Sequence, residues 1–327
     1  MKRFLFTLLT TSIICGACKK DEKIIADPII TSSALHDDLL FVNKHDFQIT
    51  ASEAATYSSS DPSITISKSG LISRVTSGEI VIVNVSWTRT GKTEKLHVLG
   101  STDNEHVNPF EKFRGATSDN PDGQYIKGWA TLRKLAESGQ TYFIVLRHAD
   151  ASLGMDYSLG HQDPVIPANW WKSCDTALAR QLNPQGKVRA TELGVVFKDL
   201  KMPITRVISS EFCRALTTAQ LINSGPSISI DKRINHPEYL KTGETLFQGL
   251  QHIISETPVD NKITLISTHH PINEFNDSGI ASFPKVSVYN WTAAYFVKVN
   301  ADKTFTYEGA ASFGMFKYWR DLKLNKI

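Results

Sequence analysis

Three largely apolar runs stand out along the chain, each closing on polar or basic side chains. Tyr142–Leu146 runs into Arg147-His148-Ala149, Ile204–Ile208 into Ser209-Ser210 and then Arg214, and Ile263–Ile266 into Thr268-His269-His270-Pro271. Short runs of this kind bounded by polar residues predict buried β-strands. Between them the period changes. Ile126, Trp129, Leu132 and Leu135 recur at helical spacing, and Asn183-Pro184 predicts a second helix with Asn183 as its cap and Pro184 at its first position, carrying Val188, Val195, Val196 and Leu200 among its apolar positions. Alternating strands and helices predict an α/β fold of three layers, α/β/α, over residues 124–327. Upstream the pattern is different. Residues 27–100 alternate Ser and Thr with Ile and Val, as in Ser63–Ser67 and Ile80–Trp87, and turn signals at Ser60-Asp61-Pro62 and Ser69-Gly70 separate the runs. Short alternating strands with polar turns predict a small β-sandwich. Residues 101–123 mix Asn, Asp, Pro, Gly and charge, the composition of a linker.

The N-terminus follows a third pattern. Lys2-Arg3 precedes an apolar stretch from Phe4 to Ala17, too short to span a bilayer comfortably and ordered like a secretory signal. Cys15-Gly16-Ala17-Cys18 resembles a bacterial lipobox, although Cys15 stands where leucine is usual. That resemblance implies removal of residues 1–17 and lipidation of Cys18, with residues 18–26 as a solvated tether and the cell envelope, at the outer membrane, as the location. The alternatives are an ordinary secretory cleavage site or a Cys-x-x-Cys redox pair. A chain of 327 residues, 41% hydrophobic, with 36 Lys and Arg against 33 Asp and Glu, is charge-balanced at +3; loss of Lys2 and Arg3 leaves +1 (3 − 2). Such a chain lacks the basic field of a nucleic-acid binder. Walker loops, zincin motifs, internal repeats and low-complexity tracts are absent from the sequence.

A side chain at a strand's carboxyl end points into the crevice where α/β sheets hold ligands. The three strand ends therefore deliver two arginines and up to three histidines. Guanidinium groups grip phosphate oxygens through paired charge-assisted hydrogen bonds, and a neutral imidazole can attack phosphorus near pH 7. Over about Gly128 to Ile222 the chain resembles the histidine phosphatase superfamily, which includes phosphoglycerate mutases, acid phosphatases and protein phosphohistidine phosphatases. The R-H-G/A motif is matched by Arg147-His148-Ala149, the S-S-x-x-x-R-A-x-x-T-A motif by Ser209–Ala219, and the late G-H-x-P motif by Thr268–Pro271. Leu182–Ala190 is similar to the family's L-x-x-x-G-x-x-x-A helix start. Likewise Tyr57–Trp87 resembles the group 2 bacterial immunoglobulin-like domain, without the Cys-Trp-Cys pattern of antibody domains. For that domain a stalk is the simpler expectation, with a surface or glycan partner as the alternative.

The resemblance implies that His148 is a nucleophile forming a phosphohistidine that water hydrolyses. Arg147 and Arg214 would neutralise the phosphoryl oxygens, and His269 would donate to phosphate and hold the pocket. His270 falls where the motif often has asparagine, so the role goes to His269. No cofactor and no metal are expected, because arginines beside the histidines repel a cation and no carboxylate completes a ligand set. The proton donor is open. Glu238 lies in the region where mutase-like relatives carry their acid, while Asp150 and Glu211 neighbour catalytic positions. Without an acid, substrates with good leaving groups, such as phosphoramidates, become the better expectation.

The segment Asp150–Arg180 is long and aromatic, with Tyr157, Trp170 and Trp171, and is expected either to select substrates or to pack as a structural flap. Cys174 and Cys213 are the two cysteines of the mature body. In an oxidising compartment they are a candidate disulfide, and a relative of this type resembles the chain in having both; separately buried thiols are the alternative. Together these readings predict a membrane-anchored phosphatase acting on a phosphorylated small molecule or protein. A non-catalytic surface protein that binds phosphate ligands is the alternative.

Overall fold

The computed structural model describes residues 26–42, 46–75, 80–100, 121–157, 167–236, 246–269 and 290–327. Cys18, Glu238, His270 and Pro271 lie outside them. The fold is α/β, with a β-rich N-terminal region. Eight strands come first: β1 (Leu35–His36), β2 (Leu39–Val42), β3 (Phe47–Gln48), β4 (Ala55–Ser58), β5 (Ile64–Ile66), β6 (Leu71–Val75), β7 (Ile80–Trp87) and β8 (Thr93–Gly100). They form a five-stranded sheet ordered β1-β2-β8-β7-β4 and a three-stranded sheet ordered β3-β6-β5. Period-2 alternation explains the core between them. Val81, Val83, Val85 and Trp87 of β7 point inward against Tyr57, Ile64, Ile72 and Val75.

The remainder builds one mixed sheet with helices on both faces. Its elements are α1 (Pro121–Leu135), β9 (Thr141–Arg147), α2 (Pro184–Asp199), β10 (Ile204–Ser209), α3 (Cys213–Ile222), β11 (Ile228–Ile230), α4 (Leu246–Glu256), β12 (Ile263–Thr268), β13 (Ala294–Val299), β14 (Phe305–Ala311) and α5 (Phe313–Lys323). Strand order is β11-β10-β12-β9-β13-β14. The first four are parallel, and β13 and β14 close the other edge antiparallel. Alternate residues of β9 serve the two faces, Ile144 and Leu146 meeting the layer that includes α1, α2 and α5, and Phe143 and Val145 meeting α4. Gly128 lets α1 lie against β14, because a Cβ there would fall 1.7 Å from the Ala310 carbonyl oxygen.

Helix α2 starts where the sequence places it, with Asn183 Oδ1 accepting from Gly186 N at 2.7 Å and Pro184 following. Its buried face differs in part. Ala190, Leu193, Val196 and Phe197 are buried, while Val188 and Val195 are 59% and 48% exposed, because the face turned inward is the one that packs against α3 and α5. α1 begins at Pro121, inside the segment 101–123 read as a linker. The β-rich region meets the larger sheet unit directly. Leu39, Phe41 and Leu99 join the core that contains Trp129 and Tyr318, the Tyr318 ring lies tilted against His97 at 4.5 Å, and Arg133 pairs with Asp37. Among the described residues no helix is long and apolar enough to cross a membrane.

Candidate active site

Parallel register sets the site. Ser209 lies opposite Ser267, Ser267 opposite Leu146, and Thr268 opposite Arg147, so the carboxyl ends of β10, β12 and β9 finish at one edge. Backbone bonds continue beyond the strands, His148 N donating to Thr268 O at 2.8 Å and Ser210 N to Ser267 O at 3.0 Å. Ala149 N then donates to Thr218 Oγ1 on α3 at 3.0 Å, which anchors the turn after His148. From the other side α2 presses on the same turn through Gly186, where a Cβ would meet the Asp150 carbonyl oxygen at 2.2 Å.

His148 is 6% exposed and its ring is fixed in one tautomer. Nδ1 lies 2.8 Å from the Ala149 carbonyl oxygen, which can only accept, so the ring proton sits on Nδ1 and the lone pair is on Nε2. Arg214, 2% exposed, donates from Nε to that Nε2 at 3.1 Å. Burial first, then the charges of Arg214 and Arg147, hold the His148 pKa well below the ordinary histidine value. The imidazole is therefore neutral at pH 7. Its ring is 5.3 Å from that of His269, edge to face. His269 is buried, with Nε2 2.9 Å from Ser210 Oγ and Phe212 4.5 Å away.

Arg147, His148, Arg214 and His269 thus converge at one strand edge. The structure adds partners with no obvious linear signal. Asp156 accepts from Arg214 Nη1 at 2.9 Å through Oδ1, and from Arg180 Nη2 at 3.0 Å through Oδ2. Burial pushes the Asp156 carboxyl up, but the charges of Arg214 and Arg180 and the bonds from Arg180 outweigh it and leave the pKa below the ordinary value. Arg180 is a third guanidinium within electrostatic reach of His148. Trp291 lies under Arg147, ring centroid 5.1 Å from the guanidinium carbon. Next to it, Thr292 is buried with φ 63, a backbone conformation that costs a β-branched residue about 1–3 kcal/mol, and its N–H donates to His148 O at 3.3 Å. Strain of this kind concentrates at functional sites.

The aromatic segment is tied beside the arginine. Cys174 and Cys213 are bonded, with Cα atoms 5.4 Å apart. Trp170 packs edge-on against Phe212 at 6.1 Å, and the Arg214 guanidinium sits 4.5 Å from the Phe212 ring. Glu211 accepts from Lys172 Nζ at 2.7 Å, from Asn235 Nδ2 at 2.9 Å and from Trp171 Nε1 at 3.3 Å. Burial raises its pKa, yet those bonds outweigh burial and hold the carboxylate ionised, which makes Glu211 a poor proton donor. Asp150 Oδ1 is buried with no hydrogen-bond partner among the described residues. The described residues also contain no group of three or more His, Cys, Asp or Glu side chains arranged for a metal ion.

Such a site can hold a tetrahedral anion between guanidinium groups and set an unprotonated imidazole nitrogen against it. No family model and no curated protein matches the chain. Among solved structures, the protein histidine phosphatase SixA complexed with tungstate is similar over 53% of this chain and 97% of its own, at 17% identity and TM-score 0.36. A variant of the Entamoeba histolytica phosphoserine phosphatase in complex with phosphoserine is similar over 54% and 99%, at 14% identity and TM-score 0.37. A mycobacterial glucosyl-3-phosphoglycerate phosphatase with VO3 is similar over 51% and 95%, at 12% identity and TM-score 0.35. Likeness at that level carries nothing about chemistry, which rests on this chain's own side chains.

Proposed function

We propose that the chain is a phosphohydrolase that works through a phosphohistidine at His148. The observation that carries this reading is the state of that ring: buried, neutral, its proton committed to Ala149 O and its Nε2 lone pair turned toward Arg214. A pocket meant only to hold phosphate would gain from a charged imidazolium; a neutral, low-pKa ring in a cationic setting is suited to attack. Nε2 attacks phosphorus as the ester or phosphoramidate bond breaks, and water then attacks phosphohistidine to release orthophosphate. Arg147 and Arg214 carry the charge on the phosphoryl oxygens, and His269 donates to one of them. The leaving group takes its proton from Glu238. Cys18 carries the lipid that anchors the mature chain to the cell envelope, so the substrate, a phosphorylated small molecule or protein, is met outside the cytoplasm.

The test is chemical trapping. Wild-type protein mixed with an aryl phosphate and quenched in alkali should carry one acid-labile phosphate on the peptide containing His148. His148→Ala should carry none and should not turn over while still folding, as its circular dichroism spectrum reports. Wild-type-like turnover by folded His148→Ala would remove the mechanism.

A further inference from the structure

We propose, resting on the phosphohydrolase reading above, that Asp156 is a built-in counter-anion that positions Arg214 across the nucleophile and has to yield when a phosphoryl group binds. Arg214 makes two contacts that compete with catalysis. Its Nε donates to His148 Nε2, the atom that attacks, and its Nη1 donates to Asp156 Oδ1 at 2.9 Å. The same carboxylate takes Arg180 through Nη2 at 3.0 Å and Nε at 3.4 Å, and takes the Arg180 backbone N–H at 3.0 Å. One carboxylate therefore meets two guanidinium groups with both oxygens, the arrangement a phosphoryl group would seek from the same donors.

The setting suits an exchangeable anion rather than a surface pair. Asp156 is 10% exposed and Arg214 2%, whereas Arg180 reaches toward solvent at 46%. Asp156 stands within the aromatic segment Asp150–Arg180, outside the strands of the sheet, and its neighbour Met155 is 68% exposed. The Arg214 guanidinium also rests on the Phe212 ring, which packs against Trp170, and the Arg214 carbonyl accepts from Thr218 Oγ1 at 2.8 Å within α3. Arriving phosphate must replace Asp156 at Arg214 Nη1 and draw Nε away from His148 Nε2. The nucleophile is thereby uncovered only when an anion with more charge than a carboxylate is present, and the same competition helps orthophosphate to leave.

The decisive comparison is Asp156→Asn, with Asp156→Ser as a second uncharged variant in case the amide does not fold. Inhibition constants for orthophosphate and orthovanadate are measured on the full chain against wild type. Loss of one competing charge at this distance should lower both constants on the order of tenfold. Diethyl pyrocarbonate modification of His148, read by peptide mass, should become faster because Arg214 no longer stays over Nε2. A residue that merely braces the arginines predicts the opposite, weaker anion binding on substitution. Unchanged or raised inhibition constants in a folded variant overturn the proposal, while the phosphohistidine trapped at His148 in wild type stands apart from that outcome. Wild-type protein that binds neither anion overturns both.

Discussion

Loss of the Cys174–Cys213 bond gives the sharpest stability prediction, because its size follows from the loop it closes. The two cysteines are 39 residues apart in sequence, and confining a loop of that length in the unfolded chain is worth about 4 kcal/mol in the chain-entropy account. For a unit of roughly 200 residues unfolding together, that corresponds to a fall in Tm of about 10 °C. The replacement Cys174→Ser with Cys213→Ser should show this loss by calorimetry, and wild type in reductant should match it. Activity should suffer more than the fold does. Cys213 directly precedes Arg214, and the bond holds Trp170 against Phe212, on whose ring the Arg214 guanidinium rests. Weaker substrate binding, seen as a raised KM, is therefore expected at temperatures well below the new transition. Oxidised and reduced proteins melting within about 2 °C of each other would refute the entropic reasoning. Two freely alkylated thiols in native, oxidatively folded protein would remove the bond itself.

Acid should destabilise the protein through His148: the unfolded ring takes up a proton near pH 6.5, the folded ring resists it, and stability falls by about 1 kcal/mol per pH unit below that point. Urea midpoints at pH 7.5 and 5.5 check this, with His148→Gln showing the smaller drop. Gly186→Ala should destabilise by about 1–3 kcal/mol in spite of its better helix propensity, since the new methyl meets the Asp150 carbonyl; a stabilised variant would mean the turn after His148 can move away. Wild-type protein should fractionate with membranes and incorporate labelled fatty acid, and Cys18→Ser should do neither; an intact Met1-to-Ala17 segment on the mature chain would defeat that expectation.

Much of the α/β unit could be read directly because its signals are local. Apolar runs at β9 and β12 name strands covered on both faces, and Asn183-Pro184 names a helix start that needs only its own side chain and ring. Once parallel strands are granted, residues at their carboxyl ends must share an edge, which is why Arg147, His148, Arg214 and His269 could be grouped without coordinates. Other features have no local signature. Val188 and Val195 look apolar enough to be buried, but the face of α2 turned inward is chosen by what packs on it, and they remain exposed. Asp156 meets Arg214 across 58 residues and Arg180 across 24, and only folding of the segment before α2 brings the three together. The positive φ of Thr292 and the seat of Trp291 under Arg147 likewise depend on β13 pairing with β9. Sequence pattern determined the elements and the chemistry at their ends, since both are encoded within a few residues. Tertiary structure alone decided that Asp156 and Arg180 join the charges around the nucleophile, because electrostatic contact depends on distance in space and chain separation carries no information about it.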